Sequence, residues 1–355
     1  MTEKVLMKGN EAIAYGALEA GLNAYFAYPI TPSTETPETL AREFGSPKYP
    51  RFKVFLQAAS ELEAVNMTIG AACTGDLAMT ATASPGFSLK QEALSYASGM
   101  EVPFVIINVN RGGPGLGNLG VEQSDYFQAV KGGGHGGYRL IVLAPNSVQE
   151  MLEFPKLAFD LAFKYRNPVL ILADAFLGQL KEDILMSPNG HEPSYDISWA
   201  ALGAKNGERH ILNSLHLEND AQEQHEKHLH KKFSGMHEEA RAESFQLEDA
   251  DLALVSYGIT SRISKKAVKI ARSDGLKVGL LRPITLNPFP SCLLEKLANE
   301  GKEFLVVELN AGQMVQDVSL ATGNMTTVEH FGRLGGNVPS AQEIVSKSKE
   351  ILEKC

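Results

Sequence analysis

Four short segments of this sequence carry the residue types from which a reaction site can be built: Tyr28-Pro-Ile-Thr-Pro-Ser-Thr34, Gln57-Ala-Ala-Ser-Glu61, Ala83-Ser-Pro-Gly-Phe-Ser88 and Arg111-Gly-Gly-Pro-Gly115. Together they supply a hydroxyl, a carboxylate, a flexible turn and a guanidinium. Arg111 suits bidentate capture of a carboxylate. Thr31 stands among Pro29 and Pro32, which stiffen the turn and would hold its hydroxyl in one orientation. Glu61 follows Ser60 at a candidate helix start. A carboxylate there either favours the positive end of the helix dipole or does chemistry. Glu63, two residues on, should point to a different helix face.

The fourth segment opens a stretch of unusual backbone. Ten of the 27 residues from Arg111 to Gly137 are glycine, against 32 in the whole chain. Backbone there must pass close to something or adopt positive φ. Gly115-Leu-Gly117-Asn-Leu-Gly120 matches the dinucleotide G-x-G-x-x-G, but five residues separate it from the preceding strand. The next strand also ends in Ala144-Pro145, without the acidic residue that would hold a ribose. A Rossmann dehydrogenase is disfavoured. Arg111 and His135, which bracket this glycine, suit an active-site wall better than a mobile surface loop.

Stepping outward, short apolar segments alternate with helical patterns, which predicts an α/β domain with a mostly parallel sheet. Candidate strands are 24–28, 54–56, 78–83, 104–109, 140–143 and 169–173, with helices over 10–20, 60–72, 88–100 and 148–164 between them. The four segments each lie just after a strand, where open α/β sheets place ligand-binding loops. From residue 186 to 249 the apolar runs stop and six of the nine histidines fall between His210 and His237. His225, His228 and His230 have spacing that could bind a metal. With Glu and Lys interleaved and no Cys beside them, a solvated helix in a charged linker is the better reading. An α/β pattern resumes over 250–355, with strands at 252–257, 278–281 and 304–308. The expected units are therefore 1–185, a linker over 186–249, and a smaller domain over 250–355.

Composition narrows the function. A net charge of −9 argues against a nucleic-acid-binding task. Cys73, Cys292 and Cys355 are too scattered for a disulfide framework or for a zinc or iron–sulfur site, and no metal ligand set is expected on this chain. The start lacks the apolar run of a signal peptide, and no stretch approaches a membrane span. A cytoplasmic protein is expected.

The Tyr28-Pro-Ile-Thr-Pro32 turn, Ser60-Glu61, Ala83-Ser-Pro-Gly-Phe-Ser-Leu89, Arg111-Gly-Gly-Pro-Gly-Leu-Gly117 and Lys131-Gly-Gly-Gly-His135 resemble the alpha subunit of the 2-oxoacid:ferredoxin oxidoreductases. Among these the likeness is greatest to the branched-chain 2-oxoisovalerate (3-methyl-2-oxobutanoate) type. It resumes at Leu252 to Gly258, Leu281-Arg-Pro-Ile-Thr285 and Val307-Glu-Leu-Asn-Ala-Gly-Gln313.

This resemblance implies a doubly wound parallel sheet of the thiamine-diphosphate-binding type, the pyrimidine domain, followed by a smaller α/β transketolase C-terminal-like domain. It implies that Glu61 hydrogen-bonds a ring nitrogen of the cofactor's aminopyrimidine and so helps generate its carbon nucleophile. It places Thr31 and Arg111 against the 2-oxoacid, with His135 as a further substrate-side candidate. Tyr28, Pro29, Ser84, Pro85, Gly86 and Phe87 would form the cofactor-facing wall. The implied reaction is oxidative decarboxylation of a 2-oxoacid with coenzyme A, electrons passing to ferredoxin. Thiamine diphosphate would be shared with a beta subunit. Magnesium and iron–sulfur clusters would sit on partner chains, gamma and delta subunits among them. A non-oxidative thiamine-dependent decarboxylase subunit and a non-catalytic scaffold subunit are the alternatives.

Overall fold

A computed structural model describes residues 3–186, 193–203, 209–323 and 325–353; Cys355 lies outside these. The first half runs β1 (Glu3–Lys8), α1 (Gly9–Glu19), β2 (Ala24–Ala27), α2 (Glu35–Glu43), β3 (Val54–Gln57), α3 (Glu61–Ala72) and β4 (Ala78–Thr82). It continues with α4 (Ser84–Leu89), α5 (Gln91–Gly99), β5 (Val105–Asn110), α6 (Tyr126–Val130), β6 (Ile141–Leu143), α7 (Val148–Tyr165), β7 (Val169–Asp174), α8 (Ala175–Gln179) and β8 (Lys181–Met186). After α9 (Asn219–Gly235) come β9 (Ala242–Phe245), β10 (Leu252–Val255), α10 (Gly258–Ser273), β11 (Val278–Pro283) and β12 (Thr285–Asn287). The chain then forms α11 (Ser291–Asn299), β13 (Glu303–Glu308), α12 (Met314–Thr322), β14 (Val328–Gly332) and α13 (Ala341–Leu352).

Seven strands form the main sheet in the order β12-β6-β7-β5-β4-β2-β3. All its pairings are parallel except β12 with β6. Its central strands are buried along their whole length, Val105–Asn110 and Val169–Asp174 among them. That is why they read as near-continuous apolar runs rather than alternating ones. Helices α1 and α7 cover one face; α3 and α5 cover the other. Ser147 caps α7 by accepting from the Glu150 amide, and the helix stops at Arg166 in the left-handed region.

A second sheet, β14-β13-β10-β11-β9, is parallel apart from its edge strand β9. Two segments depart from the sequence reading. Ala242–Phe245, inside the expected linker, pairs with β11. Thr285–Asn287, inside the expected second domain, pairs with β6 of the first sheet. Both are short edge strands of mixed polarity, which carry little periodic signal. The α9 helix has no buried residue, as its interleaved charges predict. It is nonetheless pinned: His225 Nε2 lies 2.9 Å from the Gly99 carbonyl and His228 Nε2 3.0 Å from Glu101 Oε1. Among the described residues no three His, Cys, Asp or Glu side chains are grouped to hold a metal ion, and no helix is long and apolar enough to cross a membrane.

The two sheets share one apolar cluster, which runs from Phe26 and Phe87 through Tyr257 to Phe304. Arg282 on β11, 2% exposed, reaches across to α7, its Nη1 donating to Glu150 Oε1 at 2.7 Å and its Nη2 to the Ala144 carbonyl at 3.0 Å. Asp174 accepts from the Leu177 amide at 2.9 Å and from the Ile259 amide at 3.0 Å, capping α8 and holding the start of α10 at once. Arg282 Nη1 also donates to Glu243 Oε2 at 3.3 Å, so the guanidinium keeps one carboxylate if Glu150 is lost. Glu150→Ala should therefore destabilise the chain by about 1–3 kcal/mol, read as a lowered urea midpoint at unchanged m-value; no change in the midpoint would show that the pair does not hold the halves together.

Candidate active site

The order of the strands locates the site. The chain leaves β2 for β3 on one side, then crosses back to β4 on the other, so β2 and β4 flank a topological switch point. In open α/β sheets the crevice beyond the carboxyl ends of such strands is where ligands bind. The turn after β2 brings Tyr28 to Pro32 there, the turn after β3 brings Glu61, and the start of α4 brings Ser84 to Phe87. Arg111 follows β5 directly.

Glu61 is the first residue of α3. Ser60 caps that helix by accepting from the Glu63 amide at 3.2 Å, while Glu63 Oε2 accepts from the Ala59 amide at 3.0 Å. Glu63 is thus exposed cap structure, and Glu61 turns inward to 6% exposure. Its carboxylate makes no hydrogen bond among the described residues. Gly86 makes room for it. A Cβ at Gly86 would come within 2.6 Å of Glu61 Oε1 and 2.2 Å of Thr82 Oγ1. Phe87 is fully buried behind this recess.

Arg111 is 7% exposed and its Nη1 donates to the Thr31 carbonyl at 2.8 Å. Its Nε is buried without a partner. The backbone at Arg111 is fixed by Ser84, whose Oγ accepts from the Arg111 amide at 3.0 Å and donates to Asp125 Oδ2 at 2.6 Å. Asn108 and Asn110 extend the network, donating to Asp125 at 2.8 Å and to Ser84 Oγ at 2.8 Å. Burial pushes the Asp125 carboxyl up, with the hydrogen bonds from Ser84 and Asn108 working the other way. The Tyr28 to Pro32 turn is tied at its far end, where Asn10 Nδ2 donates to the Pro32 carbonyl and Ser33 Oγ donates to the Ile30 carbonyl at 2.8 Å. The Thr31-Pro32 bond is cis. Tyr28, Pro29 and Thr31 stand exposed at the rim.

Thr31, Glu61, Ser84, Pro85, Gly86, Phe87 and Arg111 thus gather around one crevice. His135 does not join them. It is exposed, packs edge-on to the Tyr96 ring at 5.5 Å and lines a separate pocket with His225 on α9. The cause is Gly133 and Gly134, which pack against Gln91 and carry the loop along α5, away from the switch point. The first glycine cluster instead closes a loop over 112–120 whose base is the Arg111–Val121 bridge. Gly120 packs on Gly336, and Gly335 donates its amide to Glu122 at 2.7 Å. Between this loop, Ser84, Asp125, Asn310 and Gln313 lies a cleft of about 580 Å³. Asn108, Asn110, Asp125 and Lys90 belong to the site surroundings, and nothing in their local sequence marks them. They matter through neighbours on other strands.

An inward-turned carboxylate at the switch point that makes no hydrogen bond among the described residues suits the donor edge of an aminopyrimidine ring. Fold and site together define a thiamine-diphosphate-binding α/β protein. Residues 15–248 match the family described as "Pyruvate flavodoxin/ferredoxin oxidoreductase, thiamine diP-bdg", and residues 250–344 match "Pyruvate:ferredoxin oxidoreductase core domain II". The chain belongs to the 2-oxoacid:ferredoxin oxidoreductase family. It is 49% identical over 98% of its length, and 97% of the relative's, to the ketoisovalerate oxidoreductase subunit VorB of Methanothermobacter marburgensis. To the 2-oxoglutarate synthase subunit KorA of that organism it is 37% identical, over 98% and 99% of the two chains. Among solved structures, the 2-oxoglutarate:ferredoxin oxidoreductase from Magnetococcus marinus superposes with a TM-score of 0.85 at 27% identity, over 98% of this chain and 65% of that one. A split-gene transketolase (TM-score 0.63, 14% identity, 98% of both chains) shares the fold.

Two glycines, Gly86 at the recess and Gly70 further along α3, should respond oppositely to alanine. Gly86→Ala forces Glu61 or Thr82 aside and should cost about 1–3 kcal/mol. Gly70→Ala, on the exposed face of α3 with nothing within 4 Å of the added carbon, should gain roughly 0.5–1 kcal/mol. Paired thermal unfolding curves check both; a neutral Gly86→Ala would mean that the recess is roomier than described.

Proposed function

We propose that this chain is the alpha subunit of a branched-chain 2-oxoacid:ferredoxin oxidoreductase, which converts a 2-oxoacid of the 3-methyl-2-oxobutanoate class and coenzyme A to acyl-CoA and carbon dioxide. The observation that carries this reading is the buried, partner-free Glu61 carboxylate at the switch point, in a chain 49% identical to a ketoisovalerate oxidoreductase subunit. Bound thiamine diphosphate would supply the carbon nucleophile for the keto group and would hold the electrons released as carbon dioxide leaves. Glu61 would hold the proton on the pyrimidine ring nitrogen. Gly86 and Phe87 would shape the wall behind it. Arg111, its charge held toward the crevice by the Thr31 carbonyl, would orient the substrate carboxylate. The Ser84–Asp125–Asn110 network would keep the Arg111 backbone in place.

Half of such a site must come from elsewhere. The strand next to Glu61, β3, is the edge of the main sheet, and it presents Val54 and Leu56 beside the exposed Leu62 and Met67 of α3. That apolar edge supports a beta subunit covering the Glu61 side and bringing the diphosphate and magnesium site. Gamma and delta subunits carrying iron–sulfur clusters would then take the electrons singly to ferredoxin. The free thiols Cys73 and Cys292 suit a reducing cytoplasm.

The chain alone should show no turnover, and reconstitution with its partner subunits should restore ferredoxin reduction dependent on 2-oxoacid and coenzyme A. In that complex Glu61→Ala should lower kcat by about 10²-fold or more, while Glu63→Ala, which removes only a cap contact, should keep the activity. Full turnover by the Glu61→Ala complex would refute the assignment.

A further inference from the structure

Lys90 joins α4 to α5, and its side chain is fully buried. An ammonium group has three protons to donate, yet among the described residues the only hydrogen bond of Nζ goes to Thr80 Oγ1 on β4. Thr80 and Thr82 project from the same face of that strand, two residues or roughly 7 Å apart. Thr82 Oγ1 is itself buried without a partner and lies at the Gly86 recess beside the Glu61 carboxylate. Lys90 and Glu61 therefore stand at the two ends of one short polar file under α4, each short of hydrogen bonds and of opposite charge. The β5 residues paired with Thr80 and Thr82, Ile106 and Asn108, are uncharged. Asp125 is the next carboxyl group, separated from the file by Asn108, which is hydrogen-bonded to it.

We propose that Lys90 is a positioning residue whose buried ammonium is the counter-charge of Glu61, holding that carboxylate in its recess and thereby setting the alkaline limit of the reaction. This rests on the reading of Glu61 as the cofactor-facing carboxylate. Loss of water around Lys90 pushes its pKa down to about 7, and the charge on Glu61 opposes that fall. Lys90 is thereby brought to change charge near neutral pH. A buried lysine whose native pKa lies below its unfolded value makes the folded state gain stability as pH rises between the two.

The test uses the full-length chain labelled with ¹³C at lysine Cε, with Lys90→Met to assign the signal. The expected result is a Lys90 midpoint near neutrality, set apart from the other lysines, which moves down by roughly one pH unit or more in Glu61→Gln. The melting temperature of the wild-type chain should rise from pH 7 to 9, and that rise should vanish in Lys90→Met. In the reconstituted complex Lys90→Met should lower kcat with little change in KM and should erase the alkaline limb of the kcat profile. A Lys90 midpoint among the ordinary lysines, one unmoved by Glu61→Gln, or a Lys90→Met complex with the wild-type profile would each overturn the proposal. The Glu61→Gln arm leaves the lysine in place, so it decides the pairing even if Lys90→Met does not fold. Full turnover by the Glu61→Gln complex would remove the reading of Glu61 and with it the alkaline limit, leaving the charge pairing to stand on the titration.

Discussion

A carboxylate turned inward at a helix start and left without a hydrogen-bond donor is the constraint around which this site is arranged. The Ser60 cap fixes where the helix starts, and Glu63 takes up the amide of Ala59 behind it. Gly86 then lets α4 approach to a distance that no side chain would tolerate.

Arg111 is held by a different logic. Its guanidinium is tied at one nitrogen by a backbone carbonyl from the neighbouring turn, and its main chain is tied by Ser84. Neither tie is a carboxylate. An Arg–Asp pair at this position would neutralise the charge before a substrate arrived, whereas a neutral carbonyl orients the group and leaves its charge available. Asp125 is close by but spends its hydrogen bonds on Ser84 and Asn108. The division lets an acidic residue stabilise the loop without quenching the cation.

Much of this was readable in the residues themselves. The buried strands show as apolar runs, and the four site segments each follow one of them, so the crevice follows once the strand order is known. Glu61, Gly86 and Arg111 sit in motifs. What stayed hidden has physical causes. Lys90 looks like any lysine after a helix, because its burial is produced by Thr80 ten residues away on another element. Asp125 gains its partners from β5 and α4. His135 sits in a conspicuous glycine cluster, yet whether such a cluster faces the switch point or the flank of α5 depends on packing against Gln91, which local spacing does not encode. The edge strands β9 and β12 are too short and too mixed to announce themselves.

The crossing of Thr285–Asn287 into the main sheet bears on how such chains can be rebuilt. Read linearly, the molecule offers a convenient seam in its charged linker, and a designer exchanging substrate-binding halves between relatives would cut there. The geometry says otherwise. The strand it covers, Ile141–Leu143, is wholly buried, and a first half built without it would display a raw apolar edge, a template for pairing with any neighbouring chain. A chimera that respects this structure carries the three-residue strand along with the first half, or keeps both sides of that seam from one parent. Modularity in the sequence is therefore not modularity in assembly.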